Sequence, residues 1–153
     1  MGEVKTSFPG IDGVVITPLK QFRDHRGAVM HMIRADSPQF KSFGEIYFSF
    51  VVSGAVKGWK RHQRMTQNFA VPVGMLKLVL FDDRDGSPTK GITQEIVMGA
   101  DAYGLVTISP MIWYAFTSIG SSEAMIANMT DMPHDPAESE TRELHNGPVA
   151  YQW

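Results

Sequence analysis

The sequence predicts an all-β domain, a sandwich or a barrel, on three observations. About ten short apolar or alternating runs recur roughly ten residues apart, turn residues close each one, and helical periodicity is absent from almost the whole chain. The runs fall at 13–19, 27–35, 45–54, 55–62, 68–74, 75–83, 93–99, 104–110, 112–120 and 123–130. Most carry the β-branched and aromatic residues that suit a pleated, half-buried surface, as in EIYFSFVVSG and GLVTISP. Gly, Pro, Asp or Ser then ends the run, as in MLKLVLFDD followed by RDGSPTKG. Pro72 interrupts NFAVPVG and cannot donate to a ladder, so that strand is expected at an edge or at a bulge. One helical turn is expected near DPAESETREL, with Asp135 as cap and Pro136 at the first helical position. After Pro133 the chain turns polar, which reads as a short extension over the barrel rather than a second domain.

Length and composition narrow the function classes. A chain of 153 residues with 43% hydrophobic content reads as one domain, 1–153, with its own core. Lys and Arg total 14 against 16 Asp and Glu, a formal charge of -2 without a basic block, so neither nucleic acid nor an anionic membrane is the expected partner. A small molecule or a second copy is expected instead. The absence of cysteine removes thiolate nucleophiles, disulfides and Cys-based zinc sites. No run reaches the roughly 18 apolar residues of a membrane span and no signal-peptide pattern opens the chain, so a cytoplasmic location is the expectation. Asn128-Met129-Thr130 fits a glycosylation sequon, which has meaning only in a secreted chain.

The run VKGWKRHQRMTQ, from Val56 to Gln67, concentrates ionisable residues in an apolar context. In a strand, Gly58, Lys60 and His62 share one face while Trp59 and Arg61 point the other way. If the first face is inside, Lys60 is partly desolvated and His62 is pushed toward its neutral form, a pairing suited to a general base with an electrophilic partner. Alternation alone leaves the other option open, a charged surface edge.

The stretch FDDRDGSPTKG resembles the D-x-R-x-x-S-P-T-x-G motif of the dTDP-4-dehydrorhamnose 3,5-epimerase family, with Asp82, Arg84, Ser87, Pro88, Thr89 and Gly91 in register. FRDHRG resembles the family's F-x-D-x-R-G, VKGW its V-x-R-G-x-H strand, SPMIWYAF its P-x-G-x-x-H-G-F, and ANMTDMPHDPAE its strand into T-D-Y. The resemblance, from about Ile16 to Trp153, implies a double-stranded β-helix of the cupin or jelly-roll type, usually a homodimer. It further implies action on nucleotide-linked 4-keto-6-deoxy sugars without a metal or organic cofactor, in bacterial surface-polysaccharide biosynthesis. Such chemistry needs a base, a stabiliser for the enolate oxygen and an acid on the opposite face.

The resemblance maps unevenly onto site residues. Arg26 matches the phosphate-binding arginine, with an ion pair to Asp24 or Asp83 as the alternative, and Lys57 matches the arginine of R-G-x-H. The family's histidine position holds Lys60, and His62 lies two residues on. The implied exchange makes His62 the base and Lys60 the oxyanion stabiliser, because the family lysine aligns with Gln67. The acid position is Met132 without a gap and His134 with a longer turn, and Tyr114, at a family histidine position, is a third candidate. The aromatic and acidic positions that read the thymine base hold Val29 and His31. Metal binding is not expected, since the five histidines form no H-x-H pair. A 3,4-ketoisomerase of the same cupin group and a non-catalytic sugar-nucleotide binding module are the rival readings.

Overall fold

The computed structural model describes residues 2–153. Its strands are β1 (Lys5–Thr6), β2 (Val14–Pro18), β3 (Gln21–Asp24), β4 (Gly27–Met30), β5 (Glu45–Val51), β6 (Val56–His62) and β7 (Gln67–Val73). Then follow β8 (Met75–Phe81), β9 (Thr93–Gly99), β10 (Gly104–Ile108), β11 (Trp113–Ser118), β12 (Ala124–Thr130) and β13 (Ser139–Thr141). Each of the ten predicted runs contains a strand. The short strands β1, β3 and β13 have no counterpart among those runs, because two to four residues show no periodicity.

Two antiparallel sheets face each other in a cupin-like β-sandwich. A six-stranded sheet runs β1-β9-β8-β11-β6-β13, a five-stranded sheet runs β2-β10-β7-β12-β5, and β3 and β4 form a separate hairpin. Leu76, Leu78 and Leu80 of β8 point inward and meet Phe69, Val71, Val106, Ile108 and Ile126 from the opposite sheet. The outer face of the six-stranded sheet is apolar too, and Trp59, Val79, Trp113 and Ala115 are covered there by Val149 and Tyr151 of the C-terminal segment. Lys77 lies 5.1 Å from the Tyr151 ring centre, so the tail is held by cation–π contact as well as by apolar area.

Three local expectations meet their outcome here. Pro72 does not lie on an edge strand, since β7 runs between β10 and β12. The β10 ladder stops at Phe69, and the β12 ladder is irregular between Met125 and Ala127, so the missing N–H falls where pairing lapses. The expected helical turn is a single 3₁₀ turn, Pro136–Glu138, whose cap Asp135 accepts from Ala137 N at 3.0 Å. The polar C-terminal stretch does more than cover the barrel, because β13 pairs with β6 and extends the six-stranded sheet.

The motif that carried the family resemblance is a buried hub. The Asp82 carboxylate, 0% exposed, accepts from Arg84 Nε at 2.8 Å, Ser87 Oγ at 2.6 Å and Thr89 Oγ1 at 2.7 Å. Burial alone raises its pKa, but the bonds from Arg84, Ser87 and Thr89 outweigh burial and hold the carboxyl well below the usual carboxylate range. With a depressed folded-state pKa, this stabilisation is complete above the unfolded value of about 3.9 and is lost as pH falls toward the folded value. Asp82→Asn should cost about 2–4 kcal/mol at neutral pH, as breaking a buried pair does. Urea unfolding from pH 7 to 3 should show a flatter acid decline in the variant; parallel curves would refute the assignment.

Candidate active site

A cavity of about 250 Å³ lies between the two sheets. Tyr47, Ser49, Gln67, Phe69, Ile126 and Asn128 form its five-stranded wall. Lys57, Gly58, Lys60, Tyr114, Phe116 and Thr141 form the facing wall, from β6, β11 and β13. The floor is aromatic: Phe69 meets Tyr114 edge-on at 5.6 Å, and Tyr114 stacks beside Phe116 at 6.5 Å.

The face of β6 is resolved in favour of the pocket wall. Trp59 and Arg61 point outward, Trp59 into the outer aromatic cluster and Arg61 over the Trp113 ring at 4.5 Å while it pairs with Asp83 and Glu140. A bulge shifts the β6–β11 register, with Tyr114 opposite Lys60 but Ala115 opposite Gly58. The extra residue in β6 brings Lys57 onto the same side as Lys60, which strict alternation forbids. Only glycine fits at the bulge: φ of Gly58 is 147°, and a Cβ there would sit 2.7 Å from Ala115 Cα.

His62 ends β6 and is 2% exposed, behind the cavity wall rather than among its lining residues. Its Nδ1 hydrogen-bonds Glu138 Oε1, and its Nε2 lies 3.3 Å from Tyr114 Oη. Glu138 is 2% exposed, and its other oxygen accepts from Arg64 N at 3.1 Å and Met65 N at 3.2 Å. Burial raises the Glu138 pKa, but the His62 bond and then the backbone donors bring it below the ordinary range, so the group is a carboxylate. A carboxylate accepts only, so the proton of His62 sits on Nδ1 and its Nε2 accepts from Tyr114. Burial lowers the His62 pKa, offset in part by Glu138 and reinforced by the Lys60 charge, which is the direction expected from the sequence. Burial likewise raises the Tyr114 phenol far above its ordinary value and keeps it protonated.

A second network orders the facing wall. Asn128 Oδ1 accepts from Asn68 N at 3.2 Å, which turns Nδ2 toward Tyr47 Oη at 2.8 Å and Gln67 Oε1 at 3.1 Å. With its oxygen occupied, Gln67 presents its amide N–H groups to the cavity and to the Tyr114 oxygen.

The remaining sequence candidates lie elsewhere. Arg26 sits exposed at the β3–β4 turn, 2.7 Å from Asp24, which is the alternative weighed for it. It does not line the cavity of its own chain. His134 is exposed, its backbone N–H bonded to Glu45, and Met132 packs against Gly44; neither lines the cavity. His31 stands edge-on to Phe22 at 5.5 Å on the hairpin. Sequence reasoning missed Glu138, Tyr47 and Asn128. Glu138 stands 76 residues from His62 in a polar stretch, and no local pattern announces it. Asn128 carried a signal of another kind, the sequon, but it is 1% exposed and committed to the cavity network.

No protein-family model matches the chain. A dTDP sugar isomerase from Desulfovibrio desulfuricans is 48% identical, with a TM-score of 0.85 over 87% of this chain and 85% of that one. The probable low-salt glycan biosynthesis epimerase Agl13 of Haloferax volcanii is 29% identical over 122 residues, 78% of each chain. The spore coat polysaccharide biosynthesis protein SpsL of Bacillus subtilis is 26% identical over 145 residues, 94% of this chain and 96% of the relative. Solved dTDP-4-dehydrorhamnose 3,5-epimerases share the fold at lower identity. The Asp82–Gly91 motif, the sandwich with its cavity and the 48% identity converge on one lineage: the chain belongs to the dTDP-4-dehydrorhamnose 3,5-epimerase family, isomerase-class enzymes on a cupin-like β fold.

Proposed function

We propose that the protein epimerises a nucleotide-linked 4-keto-6-deoxy sugar by removing a proton next to the ketone, in the cytoplasm of a bacterium building a surface polysaccharide. The observation that carries this reading is the hydrogen-bonded chain from Glu138 through His62 to Tyr114 at the cavity wall. The cavity of about 250 Å³ is smaller than the roughly 300–1,000 Å³ of sites for drug-sized ligands, so it takes the sugar ring and leaves the nucleotide outside.

In this mechanism the carbon-bound proton passes to Tyr114 Oη while the phenolic proton moves to His62 Nε2. The C–H electron pair becomes the enolate double bond, and the imidazolium rests against the Glu138 carboxylate. Lys60, directly across the ladder from Tyr114, places a positive charge beside the developing anion, and Gln67 donates an N–H to the enolate oxygen. Lys57, already bonded to Ser49 Oγ at 2.8 Å, stands at the rim for a phosphate. Arg26 serves the phosphates only at a site completed by a second chain, because it does not line the cavity of its own. Homodimerisation suits the surface as well. Ile46, Phe48 and Phe50 form a row on edge strand β5, each at least 50% exposed, which an isolated soluble chain rarely leaves uncovered.

Incubating the protein in heavy water with dTDP-4-keto-6-deoxy-D-glucose should replace protons flanking the ketone by deuterium, followed by NMR. His62→Ala should slow the exchange by roughly 10²–10⁴-fold. Wild-type protein inert toward a panel of such sugars would sink the reading in favour of a binding module.

The pH profile follows from the neutral imidazole. Exchange should fall on the acid side with a midpoint below the ordinary histidine value of 6.5, because burial lowers the His62 pKa and protonation removes its acceptor. Glu138→Gln should slow exchange by roughly 10²–10⁴-fold, as loss of the group orienting a catalytic histidine does. It should also move the acid midpoint lower still, since Glu138 raises the His62 pKa. A midpoint that rises would contradict the chain. Light scattering should find two chains per particle in wild type and one in Phe48→Asp; a single wild-type chain would remove the dimer.

A further inference from the structure

We propose that Tyr47 is the acid that returns the proton to the opposite face of the sugar, and that Asn128 is the residue that aims it. Epimerisation differs from mere exchange in needing a donor across the ring from the base. Tyr114 stands on the six-stranded wall with His62 and Glu138 behind it, while Tyr47 stands on the five-stranded wall of the same cavity. Neither acid position suggested by the family motif serves, since Met132 has no proton to give and His134 lies exposed outside the cavity.

The direction of the Tyr47 proton follows from a backbone group. Asn68 N–H can only be accepted by Asn128 Oδ1, so Asn128 Nδ2 faces Tyr47 and donates to its oxygen at 2.8 Å. The phenolic proton of Tyr47 is thereby left to point elsewhere, and no protein acceptor takes it among the described residues. Burial, partly offset by that Asn128 bond, raises the Tyr47 pKa and keeps the group protonated until an enolate forms.

The step, which rests on the epimerase reading of the same cavity, balances simply. The enolate carbon takes the Tyr47 proton on the face away from Tyr114, and the enolate π electrons form the new C–H bond as the ketone reforms. Tyr47 is left as a phenolate that its Asn128 donor stabilises. It recovers a proton from water at the cavity mouth, where the proton held by His62 is also released.

The test separates removal of the proton from its return. In heavy water with dTDP-4-keto-6-deoxy-D-glucose, Tyr47→Phe should wash deuterium in beside the ketone at a rate close to wild type, with configuration retained. Formation of the inverted sugar should fall by roughly 10²–10⁴-fold. Near-normal wash-in also shows that the variant is folded. Asn128→Leu should lower inversion more than wash-in, the wash-in loss reporting the bond that Asn128 also gives Gln67, and should not lower the ratio of inversion to wash-in further in the Tyr47→Phe background. Inversion at the wild-type rate in Tyr47→Phe overturns the proposal and leaves the epimerase reading standing. So does loss of wash-in and inversion together in a folded Tyr47→Phe protein. No wash-in by wild type overturns both.

Discussion

The buried Glu138 carboxylate is the constraint on which the site depends. Removing an ionised carboxylate from water costs several kcal/mol unless donors replace the lost hydration. Here three do: His62 Nδ1 and the backbone N–H groups of Arg64 and Met65. The two backbone donors lie in the turn after β6, and the carboxylate comes from the 3₁₀ turn just before β13. One group therefore ties the C-terminal segment to the end of β6, sets the histidine tautomer, and keeps negative charge beside an imidazole that becomes cationic in the proposed mechanism. Closing the loop between residues 62 and 138 also explains why β13 pairs with β6 rather than hanging free.

The two sheets divide the labour. In the six-stranded sheet the central strands β8 and β11 are apolar on both faces where C-terminal residues cover the outside, and they accordingly read as nearly continuous hydrophobic runs, MLKLVLF and WYAF. Burial on both sides fixes Trp59 of β6 and Trp113 of β11 beside the residues of the proposed relay. The five-stranded sheet contributes Asn68, Gln67 and Asn128, buried polar residues that face neighbours able to satisfy them. Their bonds run in one sense, from a backbone donor through Asn128 to Tyr47 and Gln67, so the wall presents donors rather than acceptors to the cavity. An electron-rich enolate is what such a wall favours.

Much of the strand order was legible because a half-buried strand must alternate and a turn needs Gly, Pro, Asp or Ser. That Lys60 and His62 share a face followed from that period, but which face is inside did not, because alternation fits a charged surface edge equally well. Two further things escaped it. The bulge at Gly58 reverses the parity of Lys57, and a bulge depends on the partner strand, here the close approach of Ala115. Glu138 escaped because a carboxylate in DPAESETREL is, locally, one acidic residue among several; its partner is fixed only by tertiary closure. The Asp82 motif shows the converse. It identified the family well, yet its residues hydrogen-bond one another around a turn, so what it preserves is a loop geometry and not a catalytic group.

The displaced histidine then has a physical explanation. His62 lies two residues beyond the family's base position, on the same face, which at about 3.3 Å per residue sets its ring roughly 6–7 Å further along the strand. At that depth an imidazole alone is cut off from the cavity, and its low exposure agrees. Tyr114 is the cross-strand neighbour of Lys60, the residue at the position that the resemblance gives to the family's histidine. Its hydroxyl lies 3.3 Å from the imidazole, and unlike His62 it lines the cavity. If Lys60 stands at the family's histidine position, as the resemblance implies, the proposed relay has two parts, His62 two residues further along β6 and Tyr114 on β11 between it and the cavity. In the proposed mechanism neither part serves alone, since His62 does not line the cavity and the Tyr114 phenol needs an acceptor for its proton.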